Sequence, residues 1–166
     1  MKWILLTLGL AVGLSLAILI IGWLLPVKHV ASSTEVFAAP PAALWQAITS
    51  LAELPKWRKS LEKVEVLPDR NGLAAWRETD TRGTVITFEV VESVPPQKLV
   101  TRIADPNLPF GGTWTYEIRP SAEGSSLTIT ENGEVYNPIF RFVSRFIMGH
   151  TATMNDYLEA LKLSLG

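Results

Sequence analysis

Residues 138–163 read PIFRFVSRFIMGHTATMNDYLEALKL, and their pattern predicts one long helix closing the chain. Ile139, Val143, Phe146, Ile147, Met154, Tyr157, Leu158, Leu161 and Leu165 recur at the steps of three and four that mark one helical face. Asn137-Pro138 supplies a cap and a first helical position. At about 1.5 Å per residue the helix is about 40 Å long. A helix of that length with a single apolar stripe needs a curved sheet to lie in. His150 falls on the stripe, three positions after Ile147 and four before Met154, and Gly149 thins the helix beside it.

The residues upstream supply such a sheet. Ser32 to Phe37 read as a short strand. Pro41 opens a helix through Leu44, Ala47, Ile48 and Leu51, and Lys56 to Ser60 make a second short one. Strands then follow in series: Val64–Leu67, Leu73–Thr79, Thr84–Ser93, Leu99–Ile103, one carrying Trp114, Tyr116 and Ile118 on one face, and one carrying Leu127, Ile129 and Val135. Turn residues such as Pro68-Asp69-Arg70-Asn71-Gly72 and Thr81-Arg82-Gly83 separate them. Strands joined by short turns make an antiparallel meander rather than βαβ units. Residues 104–112 form a longer connection, with Phe110 between Pro109 and Gly111-Gly112. It reads either as an apolar lid tip or as a simple exposed loop residue.

At the other end of the chain, residues 3–25 (WILLTLGLAVGLSLAILIIGWLL) carry no charge. As a helix they span about 35 Å, the thickness of a bilayer core. Trp3 and Trp23 sit where interfacial aromatics belong, and Pro26 ends the run. A cleaved signal peptide is the competing reading. The core is longer than signal cores of roughly 7–15 residues, and Lys28-His29 follows it directly. The expected organisation is therefore a transmembrane anchor over residues 1–29 and one domain over 30–166. Lys2 and the amino terminus outweigh Lys28, which puts the N-terminus in the cytoplasm and the domain outside, in the periplasm if the source is a bacterium.

Composition excludes several classes. Setting aside Lys2 and Lys28, 13 basic residues face 16 acidic ones, so no basic face for nucleic acid is expected. There is no cysteine, which removes disulfides, thiolate chemistry and cysteine metal sites. The two histidines stand far apart in sequence, with no metal-ligand spacing. No nucleophile elbow and no phosphate-binding glycine loop occurs, so neither a cofactor nor a metal is expected.

The order of these elements, with Ala39-Pro40-Pro41-Ala42-Ala43-Leu44-Trp45, Leu54-Pro55-Lys56-Trp57, Val94-Pro95-Pro96-Gln97-Lys98-Leu99-Val100, Gly112 to Ile118 and Tyr157 to Lys162, resembles the START and birch-pollen-allergen-like superfamily. This superfamily is also known as SRPBCC or polyketide cyclase/dehydrase-like. The resemblance covers residues 31–166. It implies an α+β helix-grip fold: a curved seven-stranded antiparallel sheet around a long C-terminal helix, with two short helices after the first strand. It also implies an apolar ligand, a lipid or other small molecule, held between sheet and helix. A cyclase or hydratase acting on an apolar substrate in the same cavity is the alternative.

The expected pocket lining is Trp76, Glu78, Phe88, Phe110, Trp114, Tyr116, Glu131, Phe146, His150 and Met154, with the 104–112 loop at the mouth. His150 reads either as a polar anchor for a ligand or as a satisfied core histidine. Glu78 shares strand parity with Trp76, and Glu131 with Ile129. An inward carboxylate is costly unless paired, so each is a candidate acid or ligand contact, with Arg102 as a possible partner. Trp45, Trp57, Trp76 and Trp114 fit either stacking on a flat ligand or core packing. In the enzyme reading His150 works with Glu78 or Glu131 as an acid/base pair. Ligand identity and oligomeric state are not encoded in any motif.

Overall fold

A computed structural model describes residues 2–165. Its elements run α1 (Lys2–Leu24), β1 (Lys28–Phe37), α2 (Pro41–Thr49), a 3₁₀ turn, α3 (Leu54–Trp57), β2 (Leu61–Arg70), β3 (Leu73–Asp80), β4 (Val85–Val94), β5 (Lys98–Ile103), β6 (Phe110–Ser121), β7 (Gly124–Val135), α4 (Pro138–Val143), a π-helical turn and α5 (Ala152–Leu165). Seven strands form one antiparallel sheet in the order β1-β7-β6-β5-β4-β3-β2. β2 to β7 are a meander. The α2–α3 connection carries the chain from β1 at one edge to β2 at the other.

Side-chain alternation gives the sheet its two faces. Tyr116 stands opposite Leu99 and Ile129, and Ile118 opposite Leu127. These residues, with Phe37, pack against Leu44 and Ile48 of α2 and against Met154, Tyr157, Leu158 and Leu161 of α5 to make the core. Register shifts between Val90 and Glu92 and near both ends of β2 interrupt the ladder, and such bulges bend and twist a strand. At the α2 end of the core, the buried Ser125 hydroxyl donates to the Ala39 carbonyl (2.7 Å).

The predicted C-terminal helix is divided. Asn137 caps it as expected, its side chain accepting from the backbone N–H groups of Ile139 (2.9 Å) and Phe140 (3.2 Å). After α4 the chain widens into a π turn over Ser144–Met148, closed by Gly149 N–H donating to the Ser144 carbonyl (3.0 Å). Gly149 then adopts φ 76°, ψ 156°, where a glycine is favoured and a helix cannot continue. The β-branched Thr151 and Thr153 follow and add little helical preference. Gly149 is thus a stop, and a Cβ there would meet nothing within 4 Å. The gap of seven positions from Ile147 to Met154 is the trace of this break. Met154, Tyr157, Leu158 and Leu161 face the sheet, while Phe146, Ile147 and Met148 are exposed at 59%, 70% and 63%.

α1 carries no charged residue after Lys2, and its side chains are exposed apart from a contact at its C-terminal end. There Gly22 lies against the backbone of Pro138, and a Cβ on Gly22 would collide with the Pro138 carbonyl. Arg141 of α4 donates through Nη1 to the carbonyl oxygens of Leu25 (2.7 Å) and Trp23 (3.4 Å). A guanidinium at the carbonyl end of a helix satisfies acceptors that the helix itself leaves open and complements its dipole.

The division of the helix makes unequal demands on its two halves. Met154→Ala should lower unfolding stability by about 2–5 kcal/mol, as for a buried residue that leaves a cavity. In detergent, Phe146→Ala should change it by no more than about 0.5 kcal/mol, the usual range for an exposed position. Denaturant titrations followed by tryptophan fluorescence measure both. Equal losses at the two positions would restore the continuous helix.

Candidate functional site

Three features share the concave face. The first is an aromatic and ionic cluster at its centre. Tyr157 of α5 meets Trp57 (5.1 Å between centroids, 83°), Trp114 (5.9 Å, 80°) and Tyr116 (5.8 Å), with the Arg58 guanidinium 5.3 Å from its ring centre. Arg58 Nη1 donates to Glu78 Oε1 at 2.9 Å, and Trp76 Nε1 donates to the same oxygen at 3.0 Å. The inward carboxylate is therefore paired, as burial requires. Burial works against the Arg58 charge, but Glu78 beside it prevails and raises its pKa. Burial also pushes the Tyr116 and Tyr157 hydroxyls well above the usual tyrosine range. Phe88 stacks on Trp76 at 5.6 Å. These rings occupy the space that the sequence assigned to a ligand beneath the middle of the long helix.

The second feature is a cavity of about 280 Å³, displaced toward α2. Its walls are Trp45, Ile48 and Leu51 from the α2 side, and Leu73, Trp76, Val90 and Leu99 from β3, β4 and β5. Of the residues expected to line a pocket, Trp76 borders it. Glu78, Trp114, Tyr116 and Met154 belong to the packed interior, and Phe88 is half-buried against Trp76. Phe146 lies outside it, exposed and packed on Phe142 (5.0 Å), because the Gly149 break turns the π segment away. Phe110 is the first residue of β6, paired with Val135, and is not a lid tip.

The third feature is polar. Register places His29 of β1 opposite Gly133 of β7, and Ala31 opposite Glu131. His29 and His150 stack with centroids 3.9 Å apart and planes at 22°. Glu131 Oε1 lies 3.4 Å from His29 Nε2. A Cβ on Gly133 would run into the His29 ring, so glycine is required there for the stack to form. Burial lowers the pKa of His29. It lowers that of His150 too, joined by the charge of His29 and opposed by Glu131. The Glu131 carboxyl is held above its usual range by burial, with the Trp114 indole and His150 pulling the other way. Sequence spacing paired His150 with no second histidine, because the β1–β7 register that supplies His29 is not local. Among the described residues no group of three such side chains has the geometry to hold a metal ion.

Arg102 pairs with neither inward carboxylate. Thr101 takes the inward position, so Arg102 points to the opposite face, where it binds Glu89 through Nε (2.9 Å) and Nη2 while Arg70 Nη1 approaches from the other side (3.2 Å). Hydrogen bonding from Arg102 holds the Glu89 carboxyl below its usual range despite burial. This trio lines an outer cavity of about 560 Å³ that the 104–112 loop borders through Ala104, Asp105, Pro106, Gly111 and Gly112. The loop thus flanks the convex face rather than the sheet–helix gap.

The histidine pair carries a pH signature. An unfolded histidine titrates near 6.5, and both imidazoles hold protons less firmly than that in the fold. As the pH drops below 6.5, the unfolded state binds protons first, so stability should fall. Glu131 acts oppositely: its raised carboxyl stabilises the fold at low pH, and that contribution is lost as the pH rises from 4.5 through its folded value. Denaturation at pH 7.5 and at pH 6 should therefore show a loss in the native chain that shrinks in the double variant H29N/H150N. An identical loss in both chains would clear the histidines of responsibility.

Residues 28–163 match the family described as polyketide cyclase / dehydrase and lipid transport. No curated protein matches the sequence. Solved structures share the fold at low identity. A START superfamily protein from Mycobacterium smegmatis aligns with TM-score 0.66 and 17% identity over 82% of this chain and 97% of its own. Norcoclaurine synthase from Thalictrum flavum gives 0.65 and 15% over 83% and 86%. The di-domain ARO/CYC StfQ from the steffimycin biosynthetic pathway gives 0.67 and 13% over 84% of this chain, which spans about half of that protein (51%). With a family match across nearly the whole of the sheet and its helices, the chain belongs to the polyketide cyclase/dehydrase and lipid transport family, with one long apolar helix preceding the domain.

Proposed function

We propose that this chain is a membrane-anchored binding domain that holds an apolar small molecule or lipid between its sheet and its helices. The observation that carries the reading is the 280 Å³ cavity beneath α2, walled by Trp45, Ile48, Leu51, Trp76, Val90 and Leu99. It lies at the small end of ligand pockets, which run from roughly 300 to 1,000 Å³. A ligand of modest size, or one arm of a larger one, fits it. The lipid-transport description of the family supports the same class.

Anchoring by α1 is supported by its length, 23 residues, and by its contacts with the domain. Gly22 seats on Pro138, and Arg141 binds the Leu25 carbonyl. Cleavage as a signal segment would strip Arg141 of these acceptors. The orientation we propose is a cytoplasmic N-terminus and an external domain, periplasmic in a bacterium, because Lys2 with the amino terminus outweighs Lys28. Arg141 reaches the helix end only through folding, and Arg145 is likewise distant from it in sequence. They do not enter that balance, which acts on residues near the helix in sequence.

A second reading is favoured by the meeting of His29, His150 and Glu131. A carboxyl whose pKa burial raises, beside two imidazoles whose pKa values burial lowers, brings proton donor and acceptor groups together within one contact, as a cyclase or hydratase needs. Glu78 has no share in it, being committed to Arg58 and Trp76.

Native mass spectrometry of the full chain released from mild detergent should show an apolar adduct. Ala74→Trp, which fills the cavity from β3, should abolish the adduct while costing about 1–3 kcal/mol from overpacking. A bare mass in the native chain under gentle extraction sinks the binding reading. Adducts that differ by the mass of a water between the native chain and His150→Ala would favour the hydratase.

The anchor has its own test. Full-length protein should stay with membranes through high salt and carbonate, and a reporter active only in the cytoplasm should be silent when fused after Gly166. Release by carbonate, or a mature N-terminus near residue 30, refutes anchoring. An active reporter reverses the topology.

A further inference from the structure

The segment after β7 is unlike the rest of the domain surface. Phe140, Phe146, Ile147 and Met148 expose about half or more of their area on one short helical stretch that follows the Asn137 cap. From Tyr136 to Asn155 the sequence contains no acidic residue, and Arg141 and Arg145 are its charges. Neighbouring turns of α1 and α4 are joined by Gly22 on Pro138 and by Arg141 on the Leu25 carbonyl. These contacts bring the segment next to the end of the long apolar helix, where Trp23 and Leu24 are also exposed. The π turn and the Gly149 stop keep these side chains from joining α5 on the sheet.

We propose that residues 138–148 form an interfacial segment lying in the headgroup–acyl boundary of the bilayer that α1 crosses. The proposal rests on the anchored reading above and adds a second, in-plane attachment to it. A short helical stretch with exposed aromatic and aliphatic residues, basic residues and no acidic ones has the composition of an interfacial element. Arg145 can bury its stem along the apolar surface and keep its charge among the headgroups. Arg141 is engaged with the end of α1, so helix and segment enter the membrane as one unit. His150, two residues beyond Met148, then stands with His29 at the membrane-facing rim of the sheet–helix gap.

The absence of cysteine allows single labels in the full-length chain. Ile147→Cys, Met148→Cys, Leu14→Cys and Glu123→Cys each carry an environment-sensitive fluorophore. The proteins are reconstituted in vesicles of phosphatidylcholine and phosphatidylglycerol brominated at defined acyl depths. Labels at positions 147 and 148 should shift to the blue and lose most of their emission to shallow bromines. The Leu14 label should be quenched by deep bromines, and the label at Glu123, in the far β6–β7 turn, by none. Water-exposed labels at 147 and 148 with a deep Leu14 label overturn the interfacial segment and leave the anchor standing. Labels at 147 and 148 shielded from water yet unquenched mean a protein partner, and overturn it as well. A Leu14 label in water overturns anchor and segment together.

Discussion

Tyr157 is the contact on which the interior depends. At its ring α3, the sheet and α5 meet, against Trp57, Trp114 and Tyr116 with Arg58 at its face. Edge-on packing of this kind fixes relative angles as well as distances. It holds α5 across the sheet and holds α3 at its flank. Arg58, set in place by the same ring, is then positioned to pair Glu78. Without that pairing, an inward carboxylate on β3 would be a buried charge with the Trp76 indole as its only donor. The wide packed centre divides the concave face into an apolar end beneath α2 and a polar end at His29, His150 and Glu131.

Those two ends have different physics. Beneath α2 the walls are mostly hydrocarbon and indole, with Thr49 and Ser93 as their polar side chains, and an occupant would be recognised chiefly by size and apolarity. At the histidine end, recognition would be by hydrogen bonds whose donors and acceptors change with pH in the range where imidazoles titrate. The same fold thus sets an apolar cavity and a cluster of titratable groups side by side. Family membership is compatible with either.

Much of the architecture was legible from alternation and turn residues alone. Parity put Trp114, Tyr116, Ile118, Leu127 and Ile129 on one face, and the structure finds them there. The same parity turned Glu78 and Glu131 inward. It also meant that Arg102, next to the inward Thr101, had to point out, so its pairing with Glu89 was readable and was missed. The division of the last helix was visible as a hole in the stripe between Ile147 and Met154, which His150 was used to fill. The His29–His150 stack was not legible: it needs the β1–β7 register and a bare Gly133, both of which depend on closure of the sheet. Nor was the cavity under α2, because volume left over after packing is a property of all its walls at once.

Only residues 25–27 lie between the end of α1 and the start of β1. Extended, they reach about 10 Å, and Pro26 stiffens them further. Proteins that ferry cargo between membranes need either a detachable body or a long leash. With α1 as its anchor, this domain would have neither. It would be a fixed post standing directly on its own membrane, unable to swing across to another surface. Any exchange of contents would then have to be with that bilayer or with a carrier that comes to meet it.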